Sequence, residues 1–236
     1  MNDGIQATVK ALAFDVGGSV FDWQTAVRRK VVELAEIHSA EIDDYAFAHA
    51  WRRRMFGMLG EVRSGARERA NADELHRLAL DDLVPGYPGF ELSDPQKDEL
   101  TLVWHQMDVW EDFPAALEQL RRHYKVVILS VLSWSILVDS SKHAGISWDG
   151  ILSCEFLSHY KPMPQSYQQC ASLLRLEPQE VMMVAVHPMD LAAAAHAGLK
   201  TGYVKPKLDE AGSQGDPASF DVVADNYADF VAQMCK

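Results

Sequence analysis

Cysteine is scarce in this sequence, and its three occurrences are widely separated. Cys154, Cys170 and Cys235 form no CxxC pair and no cluster with histidine. A disulfide framework and a zinc site both require such groupings, so the sequence supports neither of them.

Positive charge is also in short supply: 22 lysines and arginines stand against 34 aspartates and glutamates, for a formal net charge of −12. Binding to nucleic acid requires a basic face that neutralises phosphates, so we expect no nucleic-acid partner. A small anionic substrate remains compatible with this charge, because one local arginine can outweigh distant carboxylates.

Long apolar runs are absent as well. No stretch approaches the length needed to cross a membrane, so we expect no membrane partner. The N-terminal segment MNDGIQATVK lacks the basic and apolar parts of a signal peptide. We therefore expect a cytoplasmic protein.

Hydrophobic residues, by contrast, are plentiful enough for a sizeable core, at 48% of 236 residues. Residues 24–103 place apolar side chains at helical spacing and contain no convincing strand. From Lys125 onward, continuous apolar runs such as Val126–Leu129 and Val181–Val186 alternate with helical segments, while residues 209–217 resemble a loose loop. This alternation predicts an α/β protein with a parallel sheet and right-handed crossovers.

The segment KALAFDVGGSVFDW, from Lys10 to Trp23, is the most informative stretch. A short apolar run ends in Asp15, and the pair Gly17–Gly18 follows, which indicates a buried strand entering a tight turn. A carboxylate at the carboxyl end of such a strand lies where open α/β sheets bind ligands, and it could serve as a nucleophile. An aspartate that caps the next turn explains this segment equally well.

Three further polar residues stand near the ends of predicted strands. Ser130 ends the second strand, Asp190 lies just beyond the fourth, and Lys161 precedes a helix between them. Each has an ordinary explanation, as a helix cap or a surface residue. In a parallel sheet, however, these ends meet along one edge, so one crevice can gather a hydroxyl, a lysine and two carboxylates.

The order of these motifs resembles the haloacid dehalogenase superfamily. FDVGGSVFDW is similar to its first motif, ILS to its second, YKPMPQSY to its third and MMVAVHPMDLAAAAHAGLKTGYV to its fourth. The third and fourth motifs are close to those of the L-2-haloacid dehalogenase subgroup. The resemblance implies a Rossmann-like core at residues 1–23 and 104–236, with a helical cap at residues 24–103, and it implies a homodimer.

The chemistry implied by the resemblance is metal-independent hydrolysis of short 2-haloacids. Asp15 would displace halide from the carbon beside the substrate carboxylate, and water would hydrolyse the resulting aspartyl ester. Ser19 would hold the Asp15 carboxylate, Ser130 would bind the substrate carboxylate, and Lys161 would keep Asp15 ionised.

Three more residues in the core receive roles from the resemblance. Tyr167 would reach back into the site, and Asp190 would orient Lys161 or the hydrolytic water. His187 would line the substrate pocket at a position where many dehalogenases have asparagine.

In the predicted cap, Arg52 would receive the departing halide, which suits a side chain that stays cationic and offers several donors. The alternative explanation for the run Arg52–Arg54 is a solvated helix face beside a buried Trp51, which accounts for at least two of the three arginines.

Three positions depart from the dehalogenase pattern, and we expect all three to line the substrate pocket. Gly17 stands where a tyrosine or phenylalanine is common, and Met189 stands at a position that is often aromatic, so both changes widen or soften the pocket. Val131 replaces an asparagine that helps to hold the halide. These changes are compatible with an altered substrate preference or with little dehalogenase activity.

A phosphatase-like hydrolase of the same superfamily, acting on another small substrate, is one alternative. Such relatives carry a second aspartate at the position of Gly17 and paired acids in the fourth motif, where Asp190 stands alone. Magnesium prefers oxygen ligands, commonly carboxylates, and this site is short of them. We therefore expect neither a metal nor another cofactor.

A non-catalytic member is the other alternative. The apolar stripe of Trp51, Met55, Phe56 and Met58 would then form a binding or dimerisation surface, although such a stripe is more often core. The complete set of polar residues at the strand ends argues against loss of catalysis.

Overall fold

The computed structural model describes residues 3–208 and 219–235, so the predicted loop at 209–217 lies outside the described residues. The chain divides into two compact units. The first comprises the described parts of Met1–Phe21, Val109–Trp134 and Gly145–Lys236, and the second comprises Asp22–Asp108 and Ser135–Ala144. The segment Ser135–Ala144 groups with the second unit, although the sequence analysis assigns it to the core.

The helices and strands alternate along most of the chain. In chain order they are α1 (Asp3–Thr8), β1 (Ala11–Phe14), β2 (Phe21–Asp22), α2 (Trp23–His38), α3 (Asp44–Ser64), α4 (Ala72–Leu83), α5 (Asp94–Thr101), β3 (Asp108–Val109), α6 (Phe113–Leu120), β4 (Lys125–Ser130), α7 (Trp134–His143), β5 (Gly150–Ser153), α8 (Pro164–Leu173), β6 (Val181–Ala185), α9 (Pro188–His196), β7 (Lys200–Val204), β8 (Val222–Ala224) and α10 (Tyr227–Met234). Short 3₁₀ segments lie at Val84–Gly86, Leu102–His105, Cys154–Phe156 and Pro178–Glu180.

A six-stranded parallel sheet in the order β5–β4–β1–β6–β7–β8 forms the centre of the first unit. The strands β4 and β5 lie on one side of β1, and the strands β6, β7 and β8 lie on the other side. The topological switch point of the sheet therefore lies between β1 and β6, where open α/β sheets bind their ligands. This topology confirms the predicted α/β fold with a parallel sheet.

Complete burial explains why the central strands contain no polar alternation. All residues of β1 and β6 are buried, and β4 is buried after its first residue, Lys125. A strand with both faces covered places every side chain in the core, so continuous apolar runs are expected there. Polar side chains therefore stand only at the ends of these strands, as Lys125 and Ser130 do at the two ends of β4.

The second unit is a helical assembly with an aromatic centre. The ring of Trp104 lies between Trp23, with centroids 5.6 Å apart, and His76, with centroids 4.1 Å apart, and both pairs are nearly parallel. The indole N–H of Trp51 donates to the backbone oxygen of His76 at 2.8 Å. Burial lowers the pKa of His76 to about 3, so this histidine packs as a neutral ring.

The apolar stripe on α3 belongs to this core. Trp51, Met55 and Met58 are buried, and Phe56 is half-buried. The stripe therefore stabilises the second unit by packing, which is the more ordinary of the two explanations considered from the sequence.

The three consecutive arginines of α3 have different surroundings. Arg53 is exposed, and Arg54 pairs with Asp82 at 2.5 Å. The guanidinium of Arg52 instead lies over the rings of Trp23, at 4.7 Å, and Phe56, at 5.1 Å. Aromatic faces attract a cation and hold it in place, so Arg52 differs from an arginine whose charged group contacts only solvent.

A histidine held by two carboxylates connects separate segments of the second unit. His105 Nε2 lies 2.6 Å from Asp73 on α4, and its Nδ1 lies 2.8 Å from Asp139 in Ser135–Ala144. The hydrogen bond to Asp73, together with the interactions of Asp139, outweighs burial and raises the pKa of His105 above its ordinary value.

Among the described residues, no helix is both long and apolar enough to span a bilayer.

The raised pKa of His105 predicts a specific pH dependence of stability. The unfolded chain has an ordinary histidine pKa of about 6.5, so the stabilisation is complete below that pH and is lost as the pH rises through the higher folded-state value. We expect His105→Asn to lower the free energy of unfolding by up to about 1 kcal/mol at about pH 6, and by less at about pH 8.5. Urea denaturation at both pH values measures this difference.

The exposed His123 offers a matched control, and His123→Asn should leave the pH dependence of the wild type intact. Equal pH dependence of the wild type and His105→Asn would contradict the stabilising role of the two carboxylates.

Candidate active site

Asp15 is positioned by the central strand of the sheet. Phe14, the last residue of β1, pairs with Ile128 of β4 and with Val184 of β6. The next residue, Asp15, donates its backbone N–H to the oxygen of Val184 at 3.0 Å. Its carboxylate therefore lies at the carboxyl end of the sheet beside the switch point, where it is only 8% exposed.

The turn after β1 brings a hydroxyl back to this carboxylate. Gly18 has φ of +85°, in the left-handed region that favours glycine, and its N–H donates to Phe21 O at 2.9 Å. Ser19 Oγ then donates to Asp15 Oδ2 at 2.9 Å and accepts from the backbone N–H of Val186 at 3.2 Å. The left-handed backbone of Gly18 thus belongs to the turn that fixes Ser19.

Lys161 joins the two carboxylates predicted for the site. Its Nζ lies 3.0 Å from Asp15 Oδ1 and 2.8 Å from Asp190 Oδ2, and the side chain is 5% exposed. The hydroxyl of Tyr167 on α8 donates to Asp190 Oδ1 at 2.5 Å. A lysine, a tyrosine and two aspartates from distant parts of the sequence therefore form one continuous network.

His187 makes a contact that the sequence analysis did not predict. Its Nδ1 lies 3.1 Å from Asp15 Oδ2, so the imidazole touches the candidate nucleophile directly. His187 follows β6 and immediately precedes α9, which places it across the switch point from β1. Its position in the fourth motif indicated a pocket residue, but the direction of its ring depends on how β6 packs beside β1.

The charges of this network are coupled. Burial opposes ionisation of Asp15, but Lys161 and His187 hold the pKa of that carboxyl well below its usual range. Burial also opposes the charge of Lys161, yet Asp15 and Asp190 raise its pKa above the ordinary value. Burial and the neighbouring Asp190 raise the pKa of Tyr167, so its hydroxyl remains protonated. The site therefore contains an ionised aspartate beside an ionised lysine.

Ser130 lies at the end of β4, the strand next to β1. Its Oγ accepts from the backbone N–H of Leu132 at 3.2 Å, and Ser153 Oγ donates to Leu132 O at 2.7 Å. These bonds give the loop after β4 a fixed shape, with Ser130 buried and Val131 half-buried.

Two of the positions that depart from the dehalogenase pattern have contrasting surroundings. A Cβ added to Gly17 would lie 3.8 Å from Leu132 Cδ1, which is an ordinary contact, so glycine leaves space there. Met189 is 70% exposed.

Arg52 belongs to the second unit, and its role as a halide ligand stays a prediction.

The described residues offer little to a metal ion. Within 3–208 and 219–235, no three histidine, cysteine, aspartate or glutamate side chains are grouped so as to hold one. Both oxygens of Asp15 instead accept hydrogen bonds from side chains of the protein.

Together, the fold and the site define a doubly wound α/β protein that carries an ionised carboxylate in its ligand-binding crevice. Residues 9–198 match the model of the haloacid dehalogenase-like hydrolase family, and the chain belongs to that family.

Individual relatives are similar over almost the whole chain. The (S)-2-haloacid dehalogenase 4A of Burkholderia cepacia is 28% identical over 219 residues, covering 91% of this chain and 87% of the relative. The crystal structure of the L-2-haloacid dehalogenase PA0810 has a TM-score of 0.89 at 29% identity, covering 96% of this chain and 99% of that one. The defluorinating L-2-haloacid dehalogenase Rha0230 has a TM-score of 0.87 at 35% identity, covering 97% and 96%.

Removal of the lysine charge should lower the free energy of unfolding, because two carboxylates then lie close together without a cation. Lys161→Met leaves the buried Asp15 and the half-buried Asp190 without their shared cation, and loss of one partner from a buried pair costs about 3–5 kcal/mol. We predict a decrease of about that size in the free energy of unfolding near pH 7. The decrease should shrink towards about pH 5, because protonation of an aspartate then relieves the repulsion.

Urea denaturation at the two pH values measures this effect, and Lys125→Met on the exposed start of β4 is the matched control. Wild-type stability of Lys161→Met at neutral pH would contradict the coupled network.

Proposed function

We propose that this protein hydrolyses short 2-haloacids, without a metal, through an ester formed on Asp15. The observation that supports this most strongly is the state of Asp15, which is buried, ionised and held by Lys161, Ser19 and His187. The names of the relatives support the substrate class. Water is the second substrate, and no cofactor is required.

In the first half of the reaction, Asp15 attacks the carbon that carries the halogen. A carboxylate is a weak nucleophile in water, but a positioned and largely desolvated one gains from proximity. Lys161 keeps Asp15 ionised while the pair remains buried, so the nucleophile is charged before substrate arrives.

The substrate carboxylate would bind at Ser130 and the backbone amides of the loop after β4. The departing halide would be received by Arg52, whose guanidinium is already fixed over two aromatic rings. A cation at the leaving atom stabilises charge that develops in the transition state, so it raises the rate and not merely the affinity.

In the second half, water attacks the ester and restores Asp15. Asp190 would orient Lys161 or the water, and Tyr167 holds Asp190 in place through its hydroxyl. The same network can therefore serve both halves of the reaction.

The substrate range depends on the altered pocket positions. Gly17, Val131 and Met189 would widen the pocket and remove one halide donor, which changes the preference among 2-haloacids. The similarity to an enzyme named as defluorinating makes fluoroacetate a substrate worth testing beside a chloroacid. The proposal also includes a cytoplasmic location and a homodimer, as expected from the sequence.

The two alternatives are less well supported by the geometry. A metal-dependent phosphatase would need further acidic ligands beside Asp15, whereas residues 3–208 and 219–235 contain no group of three histidine, cysteine, aspartate or glutamate side chains that could hold a metal ion. A non-catalytic member would present the apolar stripe of α3 as a surface, whereas Trp51, Met55 and Met58 are buried.

Halide release tests the proposal. The wild-type protein, with EDTA present, should release halide from (S)-2-chloropropionate or fluoroacetate. Asp15→Asn should reduce that release by at least about 10³-fold, because the amide removes the nucleophile while conserving shape. Asp225→Asn, at an exposed aspartate of the same unit, should retain the wild-type rate.

Absence of halide release from both acids would overturn the proposed function. Release of phosphate from phosphate esters that depends on added Mg²⁺ would support the phosphatase alternative instead.

A further inference from the structure

The two oxygens of Asp15 have different numbers of hydrogen-bond donors. Oδ2 lies 2.9 Å from Ser19 Oγ and 3.1 Å from His187 Nδ1. Oδ1 lies 3.0 Å from Lys161 Nζ, its one side-chain donor among the described residues.

This difference distinguishes the chemistry of the two oxygens. Each carboxylate oxygen offers two lone pairs. Ser19 and His187 occupy both lone pairs of Oδ2, whereas Oδ1 keeps one lone pair for a substrate carbon. Oδ1 is therefore the atom suited to attack.

We propose that Asp15 attacks through Oδ1, and that Ser19 and His187 form an oxyanion hole around Oδ2 during hydrolysis of the ester. His187 is then a catalytic residue of the second half-reaction, beyond its place in the substrate pocket. This inference rests on the proposed function.

The proton positions agree with this role. Ser19 Oγ accepts the backbone N–H of Val186, which leaves its own proton directed at Oδ2. The Asp15 carboxylate is ionised and has no proton to give, so Nδ1 of His187 must carry the proton in their shared bond. Two donors therefore point at Oδ2 before the reaction begins, and preorganised donors of this kind require no rearrangement.

The first step consumes one lone pair of Oδ1. It forms the bond from Oδ1 to the substrate carbon as the carbon–halogen bond breaks, and the halide leaves with the bonding electron pair. Asp15 becomes a neutral ester with Oδ2 as its carbonyl oxygen. Negative charge on Oδ2 is then at its lowest, and the two donors gain little in this step.

The second step returns charge to Oδ2. Water attacks Cγ and gives a proton to Asp190, and the electron pair of the C=O bond moves onto Oδ2. Collapse re-forms the carbonyl and breaks the bond from Cγ to Oδ1. The leaving oxygen takes the proton from Asp190 and departs as the 2-hydroxyacid, and Asp15 loses the proton of the added oxygen to solvent.

Separate measurement of the two steps tests the role of His187. In rapid-quench experiments on (S)-2-chloropropionate, His187→Ala should slow hydroxyacid formation by on the order of 10²-fold, as for loss of one oxyanion donor. Halide release in the first turnover should fall by less than about tenfold. The ester should then accumulate and appear as added mass on the intact protein.

Two further variants separate this role from a structural one. His187→Asn keeps a side-chain N–H at the same position and should recover part of the hydrolysis rate. His196→Ala, at the exposed end of the same helix α9, should leave both rates unchanged. A misfolded variant would lose both steps and accumulate no ester.

The outcomes distinguish failure of the proposed function from failure of the role of His187. No halide release by the wild type would overturn the proposed function, and the role of His187 with it. Turnover by the wild type combined with an equal loss of both steps in a His187→Ala protein that is folded by circular dichroism, or with no accumulated ester in that protein, would overturn the oxyanion hole alone.

Discussion

The placement of one lysine between the buried Asp15 and the half-buried Asp190 is the interaction on which the site depends. Lys161 contacts Asp15 and Asp190 at the same time, and all three side chains are largely shielded from water. Each of these charges would be costly alone in such surroundings, so the three are stable only together. Because the lysine opposes protonation of Asp15, the nucleophile remains ionised within a low-dielectric crevice. Stability and reactivity therefore depend on the same contacts.

The sheet topology explains how residues from distant parts of the sequence form this network. Parallel strands carry their carboxyl ends to a common edge, and the reversal of strand order beside β1 opens a crevice there. Asp15 directly follows the central strand β1, His187 and Asp190 follow the neighbouring β6, and Ser130 ends β4 on the other side. The buried strands thus supply rigid positions, and the turns that follow them supply the chemistry.

Much of this arrangement could be predicted from the sequence, because motif order and parallel topology together determine which strand ends meet. Long periodic segments such as α2 and α3 were also predictable as helices, because residues 24–103 place apolar side chains at helical spacing. Short elements, including α6 and β8, carry too few residues to show a period. The contact of His187 with Asp15 was not predicted, since it depends on a ring direction that only the packing of β6 beside β1 determines. The roles of Gly17, Val131 and Met189 in the substrate pocket remain predictions.

In the proposed reaction Asp15 donates an oxygen atom to the product, and a single turnover in H₂¹⁸O measures this transfer. With the protein in excess over (S)-2-chloropropionate, the 2-hydroxyacid should contain only ordinary oxygen, and the label should appear in the peptide that contains Asp15. Label in the hydroxyacid, with an unlabelled Asp15 peptide, would show that water attacks the substrate directly and that Asp15 is not the nucleophile.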